Sequence, residues 1–334
     1  MRRKRKRRLK CAKETTDEGK SMAGKRRMRW LVFVCAGLML ALPGVGGCAE
    51  EKSAEAVVYV ENQWNFVDGS MDVSGGIPED AEGALLDIKT RGVLRVATEP
   101  YYPPQEFIDP ALSGQDQYVG ADMTLARLIA QRMNVALEIV PMDFSEVLTA
   151  VEEGRCDLAF SALSFTPARA YRVEMSKGYF YQDTLAGNGM VIRMEDKDAI
   201  FRVEDLKGRD IVAQSGSIQE SITAENVLSY RQFRRVENVQ DVYEMVQDGR
   251  ADAGAVELET AIQYIENNPD CGLTLARGIH FTMEEEHKGD RVAGRKGEIQ
   301  LMYFVNGVID EVLTSGQYME WYVENENYAK ELGL

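Results

Sequence analysis

A short phrase occurs twice in the chain, each time where a predicted helix gives way to a predicted strand. The phrase V-x-x-G-R-x-D begins at Val151 in VEEGRCDLA and at Val246 in VQDGRADA. In both copies the helix ends on a glycine, which adopts the left-handed conformation of a helix C-terminus at little cost. The two copies indicate two α/β lobes of similar construction. The alternative is a chance likeness between two helix-to-strand turns.

Predicted strands and helices alternate from Leu85 onward. Apolar runs predict strands at 93–97, 135–140, 157–160, 210–213, 233–236 and 252–256. Apolar residues at helical spacing predict helices at 122–133, 146–153, 218–229 and 299–313, and a further helix from Tyr318. This alternation is typical of parallel α/β units. We therefore predict an α/β protein in which each lobe is a central sheet flanked by helices.

Charge is distributed very unevenly along the 334 residues, whose net charge is −15. Residues 1–47 hold 14 Lys/Arg and 3 Asp/Glu, which leaves 25 Lys/Arg against 51 Asp/Glu in the rest of the chain. A body this acidic repels nucleic-acid phosphates, so we expect no nucleic-acid partner. Solubility alone also accounts for the acidic surface.

The basic N-terminus has the pattern of an export signal. Lys/Arg-rich residues precede Leu31–Leu42, an apolar segment with the length of a signal-peptide core that is short for a membrane span. V-G-G-C, ending at Cys48, resembles a bacterial lipobox. We predict a lipoprotein signal peptide over 1–47, with 1–21 an extension of the gene model. A lipid on Cys48 would anchor the exported chain to the outer face of the bacterial cytoplasmic membrane. A buried helix and cleavage without lipid are the alternatives.

Residues 48–83 are rich in Glu, Ser, Gly and Asp, which predicts an anchor and a flexible tether with a partly ordered lead-in to the first lobe. Only Cys156 and Cys271 follow Cys48, too few for a disulfide-rich scaffold. Cys156 is predicted to be a buried free thiol. The chain has 2 histidines and no metal-ligand spacing, so we predict neither a metal nor another cofactor.

Polar and aromatic residues follow the predicted strands, where open α/β sheets bind their ligands. In chain order they are Glu99, Tyr102, Phe144, Ser161, Ser164, Arg169, Ser217 and Glu257. Their placement at several strand ends predicts that they meet in one cleft.

These groups complement a zwitterion. Arg169 can hold a carboxylate through two parallel hydrogen bonds. Ser217 begins an S-x-x-E capping box, so a helix starts there and presents free N–H groups to an anion. Glu257 offers a carboxylate to a cation, while Tyr102 and Phe144 can flank an apolar stem. An α-amino acid is the simplest such ligand. Each residue alone also fits a salt bridge, a helix cap, a packed turn or a solvated acid.

Several segments resemble the bacterial extracellular solute-binding proteins of family 3, the polar amino-acid type that serves ABC transporters. The segments are LRVATEPYYPPQEF, GRCDLAFSALSFTPARAYRVEMSKGYFY, DIVAQSGSIQE and GRADAGAVE. SALSFTPAR and QSGSIQE are specific in combination, and the resemblance extends over 85–334. It implies the type II periplasmic-binding-protein fold, in which two crossover strands join two lobes that close on a ligand.

The resemblance also implies a role for each site residue. The ligand carboxylate would be held by Arg169, Ser164 and Ser217. The ligand ammonium would be held by Glu257, which stands where aspartate is usual, and by Ser161. The side-chain pocket would be lined by Tyr102, Phe144, Glu99 and Gln105. The chain departs from the family pattern at Gln105, where an aromatic is common, and at Ala162, where Gly or Ser is frequent.

The resemblance implies the domain bounds as well. Lobe 1 would be 84–183 plus 290–334 and lobe 2 would be 186–277, with hinges near 185–189 and 278–293. The closed form of a monomer would deliver its amino acid to an ABC permease in the membrane.

Two other functions stay open. A catalytic relative on this scaffold, dehydratase-like, would need a general acid of raised pKa, and Glu99 is the spare carboxylate for that role. A sensing module for a receptor would use the same cleft. The sequence leaves the ligand unidentified, although Glu99 and its acidic surroundings favour a polar or cationic side chain.

Overall fold

The computed structural model describes residues 66–181, 187–282 and 288–334. The predicted signal peptide and Cys48 lie outside these ranges. Within them, no helix combines the length and the apolar character that a membrane crossing requires. Cys156 is a buried free thiol, as predicted, and Cys271 is also free.

One five-stranded sheet contains the strands β1 (Val93–Thr98), β5 (Ala136–Pro141), β6 (Leu158–Ser164), β7 (Val173–Met175) and β13 (Asp290–Arg295). Their order is β5-β1-β6-β13-β7. β1 runs parallel to β5 and β6, and β13 is antiparallel to β6 and β7. The accompanying helices are α1 (Gly83–Arg91), α2 (Ala121–Met133), α3 (Phe144–Glu152), α4 (Pro167–Arg172), α8 (Ile299–Ser315) and α9 (Gln317–Leu332).

A second five-stranded sheet is built from the chain between β7 and β13. Its strands are β8 (Asn188–Arg193), β9 (Asp210–Gln214), β10 (Gln232–Val236), β11 (Ala253–Glu257) and β12 (Leu273–Phe281), in the order β10-β9-β11-β8-β12. β9 is parallel to β10 and β11, while β8 is antiparallel to β11 and β12. Its helices are α5 (Ile218–Asn226), α6 (Val239–Gln247) and α7 (Leu258–Asn267).

A small antiparallel meander completes the first lobe. It consists of β2 (Tyr101–Tyr102), β3 (Glu106–Ile108) and β4 (Tyr118–Val119). The two large sheets form separate lobes, and the chain leaves the first lobe after β7 and returns to it at β13. Residues 182–186 and 283–287 fall outside the described ranges, so the hinge bounds stay predictions.

Both large sheets are covered by apolar side chains on both faces, which is why their strands read as continuous apolar runs. Successive residues of β1 alternate between two clusters: Val96 packs on one face and Ala97 on the other. In the second lobe Ile211 and Val212 divide in the same way. This two-sided burial fixes the strand ends at which the candidate site lies.

The repeated V-x-x-G-R-x-D phrase builds the same joint in both lobes. Its glycine, Gly154 or Gly249, has a positive φ of 73° or 70°. Its aspartate then accepts a backbone N–H from the first half of the central parallel strand, β1 or β9. Asp157 Oδ2 accepts from Arg95 N at 2.8 Å, and Asp252 Oδ2 accepts from Asp210 N at 2.8 Å. The phrase therefore marks two similarly built lobes and not a chance likeness.

Part of the predicted tether is packed against the first lobe. Val73 and Ile77 are buried in its core, and the backbone N–H of Val67 donates to Met175 O at 2.7 Å. Asn306 Nδ2, from α8, donates to Val67 O at 2.7 Å. The end of the segment 48–83 is therefore ordered rather than flexible, because its few apolar residues pack against the folded first lobe.

Candidate functional site

The end of β6 and the start of α4 position Arg169. Thr166 caps the helix, its hydroxyl accepting the Arg169 N–H at 3.1 Å, and Pro167 occupies the first helical turn. The guanidinium donates from Nη1 to Ser164 O at 2.8 Å. Burial lowers the pKa of Arg169 to about 10, so the group is still charged at neutral pH. A fixed, buried cation at the end of a strand is suited to an anionic ligand group.

Arg169 also contacts the second lobe. Its Nη2 donates to Gly216 O at 3.3 Å, in the turn that precedes α5. The guanidinium carbon lies 5.6 Å from the centre of the Phe144 ring, at the start of α3. Arg169 therefore joins the two lobes at the cleft and has an aromatic ring beside it.

Ser217 caps α5 as the sequence predicts. Its hydroxyl accepts the Glu220 N–H at 3.0 Å. The Glu220 carboxylate reaches back to the N–H of Gly216 at 2.8 Å, one residue earlier than a standard capping box. The first turn of α5 thus faces the cleft beside Arg169, and two sources of positive charge lie at one end of the site.

Glu257 is the N-cap of α7, a role that the sequence did not indicate. Its oxygens accept from Glu259 N at 3.1 Å, Thr260 N at 2.7 Å and Thr260 Oγ1 at 2.8 Å. Burial raises the pKa of Glu257 against these donors. Across the cleft, the Tyr102 hydroxyl lies 2.8 Å from Thr260 Oγ1. The acid predicted to bind an ammonium is therefore part of a direct contact between the lobes.

Buried acceptors line the first-lobe side of the cleft. Glu99 is 2% exposed, and burial raises the pKa of its carboxyl to about 8, opposed by a hydrogen bond from the Tyr101 N–H. Ser161 Oγ accepts from Glu99 N at 3.2 Å. Among the described residues, no hydrogen-bond partner reaches Glu99 Oε1 or Gln105 Oε1.

Glu106 and Asp122 form a buried carboxyl pair behind this wall. Asp122 accepts from Tyr318 OH at 2.6 Å and from Tyr179 OH at 2.7 Å. No donor from the described part of the chain reaches either oxygen of Glu106, which lines the cleft. Burial and repulsion from Asp122 raise the pKa of Glu106. Burial also raises the pKa of Asp122, but the hydrogen bonds from the two tyrosines oppose that rise, so Glu106 holds the proton of the pair.

Asn188 and Asp290 are among the residues of the cleft that sequence reasoning missed. Asn188 begins β8 opposite Glu257 in the sheet register; its carbonyl accepts from Gln219 Nε2 at 2.9 Å, and its own Nδ2 finds no partner among the described residues. Asp290 begins β13 and hydrogen-bonds to the Gln105 side chain. Burial raises the pKa of Asp290, and nearby Arg169 opposes that effect. Neither residue belongs to a motif, so only the register of distant strands could have identified them.

All nine predicted contact residues line this one cleft: Glu99, Tyr102, Gln105, Phe144, Ser161, Ser164, Arg169, Ser217 and Glu257. Their assignments to particular ligand groups stay predictions. Among the described lining residues, four acids face two cations, Arg169 and Lys288. The cleft therefore has a localised cationic end and a largely acidic remainder. In the part of the chain that the structure describes, no group of three or more His, Cys, Asp or Glu side chains is arranged to hold a metal ion.

Two α/β lobes that enclose a polar cleft define a protein that captures small solutes between its lobes. The chain belongs to the bacterial extracellular solute-binding proteins, family 3, whose model matches residues 94–324. The predictions of the family and of the type II periplasmic-binding-protein fold are confirmed. Members of this family act outside the cytoplasm, either in the periplasm or beyond the cell.

The chain is similar to characterised relatives over most of its length. It is 28% identical over 225 residues to the arginine-binding extracellular protein ArtP of Bacillus subtilis (strain 168), covering 67% of this chain and 82% of that protein. It is 27% identical over 237 residues to the L-cystine-binding protein TcyJ of Escherichia coli (strain K12), covering 70% and 83%.

Solved structures agree with these relatives. An amino acid ABC transporter substrate-binding protein from Streptococcus pneumoniae Canada MDR_19A, bound to L-arginine, superposes with a TM-score of 0.65 at 29% identity. That match covers 74% of this chain and 98% of the other. The ancestral amino acid-binding protein AncCDT-1, a precursor of cyclohexadienyl dehydratase, superposes with a TM-score of 0.62 at 28% identity, covering 72% and 99%.

Proposed function

We propose that this protein captures an L-α-amino acid with a cationic side chain, with arginine the best fit, and delivers it to an ABC permease. The α-carboxylate would lie between Arg169, Ser164 and the first turn of α5 at Ser217. This end of the cleft combines a guanidinium with a helix N-terminus, and both favour an anion. Because Arg169 and Ser217 come from different lobes, a carboxylate placed there stabilises the closed form.

The α-ammonium would lie between Glu257 and Ser161. Donors from Glu259 and Thr260 fix the Glu257 carboxylate at the wall of the cleft. A ligand ammonium would add a charged donor to this carboxylate. The ring of Tyr102, hydrogen-bonded to Thr260, would close over the ligand from the first lobe.

The observation that favours a ligand with a cationic side chain is a pair of unpartnered acceptors, Glu99 Oε1 and Gln105 Oε1. An unpartnered buried polar atom costs free energy, and a ligand N–H would remove that cost. A guanidinium has five N–H donors in a planar arrangement, so it can satisfy both acceptors and also reach Glu106. The arginine named for the similar B. subtilis and S. pneumoniae proteins supports the same choice.

The cellular role follows the family. Cys48 would carry the lipid that anchors the exported chain, and a membrane permease would accept the closed monomer. We propose binding without catalysis, because Glu99 is occupied by the ligand side chain in this arrangement. A dehydratase-like activity is the second candidate, supported by the raised pKa of Glu99 and by the similarity to AncCDT-1.

Isothermal titration calorimetry (ITC) of the full chain with each of the common amino acids tests the proposal. Arginine should bind, and Arg169→Ala should abolish binding. Arg172→Ala is the matched control, since Arg172 pairs on the surface with Glu152, with Nε at 3.0 Å from Oε2. A ligand at 100 times its Kd should also add about 2.7 kcal/mol to the free energy of unfolding.

The result could contradict the proposal in two ways. Citrulline keeps the shape of arginine without its charge, so equal binding of citrulline and arginine would refute the cationic site. Turnover of prephenate or arogenate would instead support the dehydratase-like candidate.

A further inference from the structure

A second cavity lies between the lobes and shares a wall with the amino-acid cleft. Its volume is about 390 Å³, which falls in the range of small-molecule sites. The β2–β3 hairpin and α9 form its first-lobe side, and α6 and α7 form its second-lobe side. Tyr102, Val239, Tyr243 and Thr260 line both spaces. These four residues therefore form a wall between the cavity and the amino-acid cleft.

Aromatic rings line both sides of this interlobe cavity. Tyr101, Tyr102 and Phe107 come from the first lobe. In the second lobe Tyr243 and Tyr264 stack with ring centres 4.0 Å apart and planes 6° apart. Such surfaces favour a flat aromatic molecule, which can stack against or meet them edge-on.

The polar groups of the cavity limit the charge of its occupant. Glu326 is the one charged side chain among the described lining residues, and it accepts from Gln263 Nε2 at 3.2 Å. The other polar side chains of the rim are amides, such as Asn267, and hydroxyls. With no cation in the described lining, an anionic occupant would be disfavoured.

The Tyr243 hydroxyl supplies a separate indication of a ligand. Tyr243 is 2% exposed, and its hydroxyl has no hydrogen-bond partner among the described residues. A buried hydroxyl without a partner is destabilising, and an acceptor brought by a ligand in either of the two spaces that Tyr243 lines would relieve that cost.

We propose that the interlobe cavity binds a small uncharged aromatic molecule carrying a hydrogen-bond acceptor, and that this molecule strengthens amino-acid capture. The occupant contacts both lobes only when they are closed, so it stabilises the closed form. The amino acid stabilises the same form from the other side of Tyr102 and Tyr243. The coupling is reciprocal: each ligand raises the affinity for the other by the same factor. Ligand binding in the cavity is independent of the proposed function, and only its coupling to amino-acid binding rests on that function.

Indole-3-carboxamide is a suitable probe, because it joins an aromatic ring system to an amide carbonyl. The full chain would be titrated with L-arginine in the presence and absence of the saturating probe. We expect the Kd for arginine to be lower by a factor of about five or more when the probe is present. Cyclohexanecarboxamide keeps the acceptor and lacks the aromatic ring, so it should have little effect.

Tyr264→Leu tests the site itself, since Tyr264 lines the interlobe cavity and lies outside the amino-acid cleft. The variant should lose the probe effect and keep its affinity for arginine alone. Tyr230→Leu, a half-exposed tyrosine elsewhere in the second lobe, is the matched control. If Tyr264→Leu fails to fold, Asn267→Trp fills the cavity from its rim and should give the same result.

Direct titration of the probe separates this proposal from the amino-acid role. Probe binding that disappears in Tyr264→Leu supports the cavity even if no amino acid binds. No probe binding to the arginine-saturated protein overturns the proposal. An effect that Tyr264→Leu and Asn267→Trp both leave unchanged also overturns it, as does an equal effect of cyclohexanecarboxamide.

Discussion

Glu99 should make arginine bind more tightly as the pH rises. The carboxyl is 2% exposed, and burial raises its pKa from 4.5 to about 8, with Asp143 and Asp241 adding to the rise. At one pKa unit per 1.36 kcal/mol, ionising Glu99 inside the empty cleft costs about 5 kcal/mol more than in water. Below pH ~8 the empty cleft therefore holds neutral Glu99, and a guanidinium must displace its proton.

The expected size of the effect follows from the distance between the pH and this pKa. Deprotonating Glu99 in the empty cleft costs about 1.4 kcal/mol at pH ~7 and about 2.7 kcal/mol at pH ~6. The Kd for arginine should therefore rise about tenfold for each pH unit below ~8 and level off above it. Arginine binding weakens at low pH because the raised pKa of Glu99 stabilises the protonated carboxyl of the empty site.

Calorimetry in buffers of different ionisation enthalpy measures both the Kd and the number of protons released. Glu99→Gln should lower the number of protons released per arginine by about one near pH ~7 and weaken binding by about 2–5 kcal/mol. Glu257 and Asp290 also have raised pKa values, so a smaller pH dependence should persist in the variant. Glu225→Gln, on the exposed face of α5, is the control. An unchanged proton count in Glu99→Gln would refute the reasoning.

Three further substitutions test how the site is held. Gly120→Ala should lower the melting temperature and weaken ligand binding, because Gly120 has a φ of 124° and an added Cβ would lie 2.1 Å from Gln105 O; unchanged melting would contradict this. Asp122→Asn should lower the free energy of unfolding by about 3 kcal/mol, since a buried carboxylate loses its charge-assisted hydrogen bonds, and urea unfolding measures the loss. Tyr102→Phe removes the hydrogen bond to Thr260 and should weaken arginine binding about fivefold, equivalent to about 1 kcal/mol; calorimetry that finds no change would exclude a role for this bond in closure.

Local signals accounted for much of the fold. The strands β1, β5, β9 and β11 were predicted within one or two residues, because strands buried on both faces read as apolar runs. The start of α5 was predicted from the S-x-x-E capping box of Ser217 and Glu220, because helix capping is decided within four residues. The prediction of the end of α5 was less accurate. The helix ends at Asn226 rather than near residue 229, because the backbone of Val227 is extended.

The contacts of the cleft were beyond local signals. Asn188 and Asp290 enter it because the chain crosses between the lobes, and no motif surrounds them. Glu257 was predicted only as an acid that binds a cation, yet it also caps α7, since both roles place a carboxylate at a strand end. The packed segment after residue 65 was predicted to be part of the tether. Its few apolar residues form no local pattern, and they become buried only by packing against the first lobe.

The sequence by itself determined the alternation of strands and helices, the two matching lobes, the family and the residues at the strand ends, since each depends on neighbours along the chain. Tertiary structure decided the register that sets Asn188 opposite Glu257, the contact of Tyr102 with Thr260, and the burial that moves the pKa of Glu99 to about 8. Those properties depend on the distance between groups far apart in the chain and on the water excluded when the lobes close, and neither quantity is a property of any single segment.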